Sequence, residues 1–475
     1  MQFSSMKTAL KRDKLIAVCY GRHSGAITKP RTGSAKLTLA RRQRRYSLPC
    51  SQPSASYLDR PTPMTQSALA SILTECIDHH FDQEVQFLAA LVQKPSDNPP
   101  GDCAGHAEMA AQWLERIGFT VERHAVPVDD VTRAGMISAT NLVVRHRFGA
   151  GPVIALNAHG DVVPPGDGWS ADPYGAEIRD GFMIGRGAAV SKSDFATYAF
   201  ALKALIESGA TLGGGVELHL TYDEETGGLI GPGWLLKQGI VKPDYAICAG
   251  FSYSITTAHN GAIHLEVTVR GKSAHAARPD TGHDALEAAT AVLNALYAHR
   301  AALREIHSET PGIDHPTLVV GLIKGGINTN VVPDKVSLRL DRRVVPEENP
   351  QDVLKQLKTL ITASVDGLPG ISVEIEEVLV TSPLRSLDGA ERLSQALQRA
   401  ALVTLQRDIP TEGVPLYTDA RLYCEAGVPT VIYGAGPRTL LEANGHRADE
   451  RVSLEDLKVA TKTVAIALAD LLGQP

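Results

Sequence analysis

Two apolar runs in this chain end in charged tips. Pro152–Leu156 leads through Asn157 and Ala158 into His159-Gly160-Asp161. Val216–Tyr222 runs into Asp223-Glu224-Glu225. Short apolar runs of this kind read as buried strands, so both polar clusters fall at strand C-terminal ends. Open α/β sheets collect their ligands at that end. The pattern therefore restricts the fold to an α/β sheet with chemistry along one rim. Positions i and i+2 of a strand share a side, so His159 and Asp161 are expected to face one cleft. There Asp161 would orient the imidazole, as carboxylates do for metal-bound histidines. On this spacing alone, a loop histidine hydrogen-bonded to an aspartate is the commoner outcome.

The rest of the chain fits such a sheet. Apolar residues recur at helical spacing from Gln66 to Leu91, which reads as one or two helices, and from His106 to Ile117, with Gly118 as a stop. Lys94–Asp102 between them is a Pro- and Asp-rich loop. Strands are expected near Val121–Val126, Asn141–His146 and Asp244–Cys248, and a helix over Asp194–Ser208. The pattern then changes. Strand His264–Val269, helix Asp284–Ile306, strands Thr317–Ile323 and Lys335–Leu340, helix Pro350–Val365 and strand Ile371–Val378 follow in turn. That β-α-β-β-α-β order is ferredoxin-like. Helix Gly389–Leu405, strand Thr430–Tyr433 and helix Leu454–Leu472 resume the first pattern. The expectation is a mixed-sheet catalytic domain in two parts, 64–261 and 381–475, with an α+β unit inserted at 262–380.

Residues 1–63 stand apart. They hold 13 Lys/Arg against 2 Asp/Glu, although the whole chain carries a net charge of −6. Arg41-Arg42-Gln43-Arg44-Arg45 is the densest basic run. The apolar stretch Leu15–Val18 is too short for a secretory signal. A transit peptide, a nucleic-acid-binding arm and translated upstream sequence before Met64 compete, and the last is favoured. No fold is expected there. The body is ordinary: 43% hydrophobic and 21% charged over 475 residues, enough for a large core in more than one domain. No apolar run approaches a bilayer span. Six scattered cysteines form no C-x-x-C pair, which argues against a disulfide scaffold or thiolate zinc and fits a reducing compartment. The cytoplasm is expected, or an organelle if residues 1–63 are a transit peptide. Neither a nucleic acid nor a membrane is an expected partner of the body.

Adjacent acids at a strand end offer two roles. One binds a cation and the other takes a proton from water that the cation acidifies. An isolated Glu-Glu is more often a solvated turn capping a helix. His446 in Asn444-Gly445-His446-Arg447-Ala448-Asp449-Glu450 would, alone, be an ordinary exposed loop histidine.

Context changes these readings. His159-Gly160-Asp161-Val162-Val163-Pro164 with Trp169 and Gly185-Arg186-Gly187-Ala188 resembles the first signature of one zinc hydrolase family. That family contains aminoacylase, carboxypeptidase G, acetylornithine deacetylase and succinyl-diaminopimelate desuccinylase. Further signatures follow in the family's order. They are Thr221 to Gly228, Gly271-Lys272-Ser273-Ala274-His275, Gly325 to Pro333, Asp341-Arg342-Arg343, and Thr418-Asp419-Ala420 with Gly434-Ala435-Gly436 and His446. The resemblance spans residues 75–470. It implies a metal-dependent hydrolase that cleaves the amide bond of an N-acyl amino acid or small peptide. It makes Glu224 the general base, Asp161 the partner of His159, and His159, Glu225 and His446 metal ligands. His275 becomes the residue that polarises the substrate carbonyl, often across a dimer. Asn330 and Arg343 become substrate contacts, and 262–380 a lid and dimerisation unit.

Two positions depart from the family. Its five ligands hold two metals that share one carboxylate. The bridging acid should follow Ala188-Ala189, where this chain has Val190. A further acid should stand where Gly250 falls. Neither side chain can ligate zinc, and two zinc ions need an anionic bridge. His159, Glu225 and His446 alone form a recognised one-zinc catalytic set of two histidines and a glutamate. One zinc per chain is therefore expected. Asp194 and His259 are possible substitute ligands. The alternatives are a catalytically inactive member that binds a ligand or partner, and a metal-independent acyl enzyme using Ser191 and Lys192.

Overall fold

The computed structural model describes residues 66–473. The basic segment 1–63 and its competing readings lie outside the described residues. The chain is an α/β protein built on a nine-stranded mixed sheet, with an antiparallel α+β unit inserted into it.

Strand Val153–His159 lies inside the large sheet, parallel to Gly215–Thr221 on one side and to Tyr245–Cys248 on the other. Thr430–Ile432 continues the parallel set beyond Tyr245–Cys248. Thr140–Arg147 and Val121–Ala125 extend the opposite edge in antiparallel pairing. Six of the seven residues of Val153–His159 are buried, as expected of a strand covered on both faces. Helix Lys192–Glu207 explains part of that cover. Thirteen of its 16 residues are buried, so it is enclosed nearly all round, the pattern of a central helix. Helices Gln66–Gln93 and Leu454–Leu472 pack against it, with Leu73, Phe87, Phe195 and Leu468 fully enclosed.

After His259 the chain leaves this sheet. Gly261–Arg270, Thr317–Gly325, Lys335–Val344 and Ser372–Thr381 form a separate antiparallel sheet. Gly261–Arg270 and Lys335–Val344 are its inner strands. Helix Ala285–Leu303 is capped by the Asp284 carboxylate, which accepts from Leu286 and Glu287 N–H. Asn349 caps helix Pro350–Ser364 in the same way. Val267, Leu338, Leu296 and Leu357 meet between sheet and helices. Thr317–Gly325 is an edge strand that exposes Val319, Leu322 and Ile323.

The elements differ from expectation in detail. Of the one or two helices expected from Gln66 to Leu91, one forms, unbroken over Gln66–Gln93. Val153–His159 runs three residues beyond the expected apolar stretch, so His159 belongs to the strand itself. Short elements such as Val128–Arg133, Ile255–His259 and Ala420–Glu425 carry too few residues to show a period. Among the described residues, no helix is long and apolar enough to cross a membrane.

Candidate active site

The two strand tips meet, as their parallel pairing requires. His159 is paired in register with Thr221, two residues before Asp223. A tight turn carries Glu224–Thr226, with Gly227 at φ 115° closing it, a conformation that favours glycine. His159 Nδ1 lies 3.0 Å from the Asp161 backbone oxygen and 3.4 Å from its Oδ1. Donation from Nδ1 leaves Nε2 with a lone pair aimed into the cleft. Nε2 lies 3.8 Å from Glu224 Oε2. Donor atoms of His159, Glu224 and Glu225 all lie within 4.8 Å of one another. His446 Nε2 reaches Glu225 Oε1 at 3.4 Å from a half-exposed loop.

Asp161 does more than face His159. Its Oδ1 accepts the Glu224 N–H at 3.2 Å, and its Oδ2 accepts the Glu225 N–H at 3.2 Å. One buried carboxylate thus fixes both the imidazole and the acid turn. Burial pushes the Glu224 carboxyl up to about 8, opposed by His159 and reinforced by Glu225 and Asp161. The hydrogen bond to Glu225 raises the pKa of His446, against the effect of burial. Enclosed acids at this density favour a cation in their midst. Two imidazole nitrogens and one carboxylate, from His159, His446 and Glu225, suit zinc, so the residues fit the metal that the motifs imply.

The departures are also visible. Val190 lines the cleft, and its N–H donates to Glu450 Oε1 at 3.2 Å. At Gly250 an added Cβ would lie 2.2 Å from Ile432 Cγ2, so no side chain fits. Asp194 reaches the cleft wall, where its Oδ1 accepts the Ala435 N–H at 2.8 Å. His259 is fully engaged: Nδ1 faces the Asn260 oxygen at 2.8 Å and Nε2 accepts from Thr418 N–H at 3.2 Å. Ser191 Oγ bonds the His159 backbone, whereas Lys192 Nζ donates to the Lys94 oxygen at 3.2 Å. Ser191 and Lys192 therefore form no nucleophile–base pair.

A cavity of about 660 Å³ opens over the cluster. The inserted unit contributes Arg343, whose guanidinium bonds Asp341 Oδ2 at 3.0 Å and lies 5.5 Å from the Tyr417 ring centre. His275 and Asn330 sit elsewhere. They share a short exposed ladder, in which Ala276 N–H donates to the Asn330 oxygen at 3.0 Å. Neither lines this cavity.

Several contributors carried no sequence signal of their own. Asn98, in the Pro-rich loop, donates to Asp161 Oδ2 at 3.0 Å. Glu450 pairs with buried Arg186 at 2.5 Å and accepts the Ala189 and Val190 N–H groups, clamping the glycine-rich turn. Arg421 donates to the Gly227 oxygen and so braces the acid turn. Only their places beside named motifs, Glu450 after Asp449 and Arg421 after Ala420, could have drawn attention to them.

A mixed α/β sheet with an inserted α+β unit, and a histidine–glutamate cluster at its strand ends, is the architecture of a metal-dependent amide hydrolase. The chain belongs to Peptidase family M20/M25/M40, which it matches over residues 155–470. It is a hydrolase of C–N amide bonds. Succinyl-diaminopimelate desuccinylase of Granulibacter bethesdensis is 29% identical over 405 residues, covering 81% of this chain and 97% of that protein. Acetylornithine deacetylase of Myxococcus xanthus is 30% identical over 369 residues, covering 77% and 92%. Human carnosine dipeptidase 1 shares the fold, with a TM-score of 0.68 at 19% identity, over 85% of this chain and 99% of that one.

Proposed function

We propose that this protein cleaves the amide bond of an N-acyl amino acid or small peptide at a site holding one zinc ion. The observation that carries this reading is the convergence of His159, Glu224 and Glu225, with His446 against Glu225. The names of the desuccinylase and deacetylase relatives, and of the dipeptidase sharing the fold, support the substrate class.

His159, Glu225 and His446 would hold the metal. When bound, it acidifies water and polarises the amide carbonyl. Glu224 Oε2, on the open side of His159, takes the proton from the attacking water and delivers it to the leaving nitrogen. Asp161 holds the His159 ring and the Glu224–Glu225 turn in place. Arg343, on the cavity wall, grips the substrate carboxylate.

Residues 64–261 and 381–475 form the catalytic domain in this reading, and 262–380 the lid. The lid pairs with its twin in a homodimer, for which the exposed Val319, Leu322 and Ile323 on an edge strand are the support. His275 and Asn330, outside their own cavity, then serve the partner's site. Cys76, Cys103, Cys248 and Cys424 are unpaired, which supports a cytoplasmic location. A second reading, a catalytically inactive ligand-binding member, draws on Val190 and Gly250.

Elemental analysis of purified protein, with a panel of N-acyl amino acids and dipeptides, tests the proposal. The expected result is one zinc per chain that depends on His159 and is lost in His159→Ala, and turnover of at least one class, lost on chelation. Two metals per chain, both lost in His159→Ala, would refute the single-metal site. Full metal loading with no turnover across the panel would favour the second reading.

A further inference from the structure

A second group of metal-ligating side chains lies outside this cavity. Cys76 and His80 sit four residues apart on helix Gln66–Gln93, and therefore on one face. Opposite them stands Glu207, the last residue of helix Lys192–Glu207. Cys76 Sγ lies 3.2 Å and His80 Nε2 lies 2.7 Å from the same oxygen, Glu207 Oε2. All three donor atoms fall within 4.8 Å of one another. The other carboxylate oxygen, Oε1, is held by Lys203 Nζ at 2.6 Å. That contact fixes the carboxylate plane and leaves Oε2 facing the sulfur and the imidazole. The orientation matches what outer partners do for ligands in established sites.

We infer that Cys76, His80 and Glu207 form a binding site for one divalent transition-metal ion of the zinc class, separate from the catalytic centre. Sulfur and imidazole donors exclude calcium and magnesium, which take oxygen ligands. Tetrahedral zinc with bonds of roughly 2.0–2.3 Å separates its ligand atoms by roughly 3.3–3.5 Å. The two contacts to Glu207 Oε2 need to open by only about half an ångström to admit the ion. Binding breaks the S–H bond of Cys76 and releases one proton to solvent. His80 moves the proton that its Nε2 directs at Glu207 in the metal-free cluster to Nδ1, and so offers the Nε2 lone pair. The thiolate and the Glu207 carboxylate together balance the ion's two charges, and water takes the fourth position.

Burial and the Glu207 carboxylate push the Cys76 thiol up to about 11, so the metal-free cluster holds the protonated thiol. The site ties the middle of the first described helix to the end of a buried helix. The opposite end of that buried helix, Lys192–Asp194, adjoins the His159 backbone through Ser191. Metal bound here therefore acts as a clip on the scaffold behind the catalytic strand, without touching substrate.

Cobalt titration of the full chain, under a phosphine reductant, tests the site. A cobalt-bound thiolate gives a near-ultraviolet charge-transfer band, and the proposed catalytic ligands contain no sulfur. The band should appear in the wild type and in His159→Ala and Cys248→Ser, and vanish in Cys76→Ser. His80→Gln should weaken cobalt binding at this site by at least about tenfold, since losing a ligand costs more than losing its outer partner. Circular dichroism shows whether each variant is folded. Absence of the band in wild type at excess cobalt would overturn the inference. So would its persistence in Cys76→Ser, or unchanged affinity in folded His80→Gln.

Discussion

Glu84 offers a test of the buried electrostatics that is independent of catalysis. It lies on helix Gln66–Gln93, fully enclosed. Its Oε1 meets Thr461 Oγ1 at 2.5 Å, and its Oε2 has no partner. Burial pushes its pKa from 4.5 up to about 8, against the opposing effects of Thr461 and Lys458. The folded chain therefore holds this proton at neutral pH, while the unfolded chain has released it. A group whose pKa rises on folding gives its full stability below the unfolded pKa and loses it as pH climbs through the folded one. The window here is from about 4.5 to about 8. At about 1.4 kcal/mol per pH unit, the cost grows to roughly 3 kcal/mol at pH 7 and roughly 4 at pH 8. Glu84→Gln keeps the shape, cannot ionise, and can still bond Thr461. Unfolding free energies of both proteins from urea titrations should differ by no more than about 1 kcal/mol at pH 5, with the variant pulling ahead by about 4 kcal/mol at pH 8. Other groups titrate in both chains and cancel in the comparison. A difference that stays constant from pH 5 to pH 8 would refute the argument that Glu84 is held neutral.

Two further expectations concern the site. Glu224→Gln should lower turnover by roughly 10²–10⁴-fold with metal retained, whereas Glu225→Gln should lose metal; atomic absorption beside the amidase assay separates them. Full turnover in metal-loaded Glu224→Gln would remove it from the base role. Mixing inactive Glu224→Gln chains with inactive His275→Ala chains should restore part of the activity, because some mixed dimers carry one intact site. If the subunits exchange and no activity returns, His275 does not act across an interface.

The large elements were legible because their patterns are long. Leu454–Leu472 coincides with its expected bounds, and the β-α-β-β-α-β unit appears in the order read from the chain. The candidate cluster was legible where it is local: His159 and Asp161 are two residues apart, and Glu224 and Glu225 are adjacent. What stayed hidden is long-range. The Asn98–Asp161 bond crosses 63 positions, and the Arg186–Glu450 bond crosses 264. Neither pair leaves a trace in spacing. Asp161 shows the same limit from within a recognised motif. Its place beside His159 was readable, but its grip on the Glu224 and Glu225 N–H groups depends on how two parallel strands align.

Charge decides what the altered positions imply. Two zinc ions roughly 4 Å apart repel by about 4 kcal/mol even at the dielectric of water, and by about four times that at an effective value of 20. A shared carboxylate offsets this, and Val190 supplies none. Asp194 is the nearest replacement in sequence, yet its carboxylate accepts the Ala435 and Gly250 backbone N–H groups. Gly434 leaves the room that makes this possible, since a Cβ there would fall 1.8 Å from Asp194 Oδ1. Ile432 blocks any side chain at Gly250. Around Val190 and Gly250 the space is thus taken up by backbone, Ile432 and an engaged acid. In the proposed one-zinc reading, His159, Glu225 and His446 would carry one negative charge between them, which suits a single dication better than two.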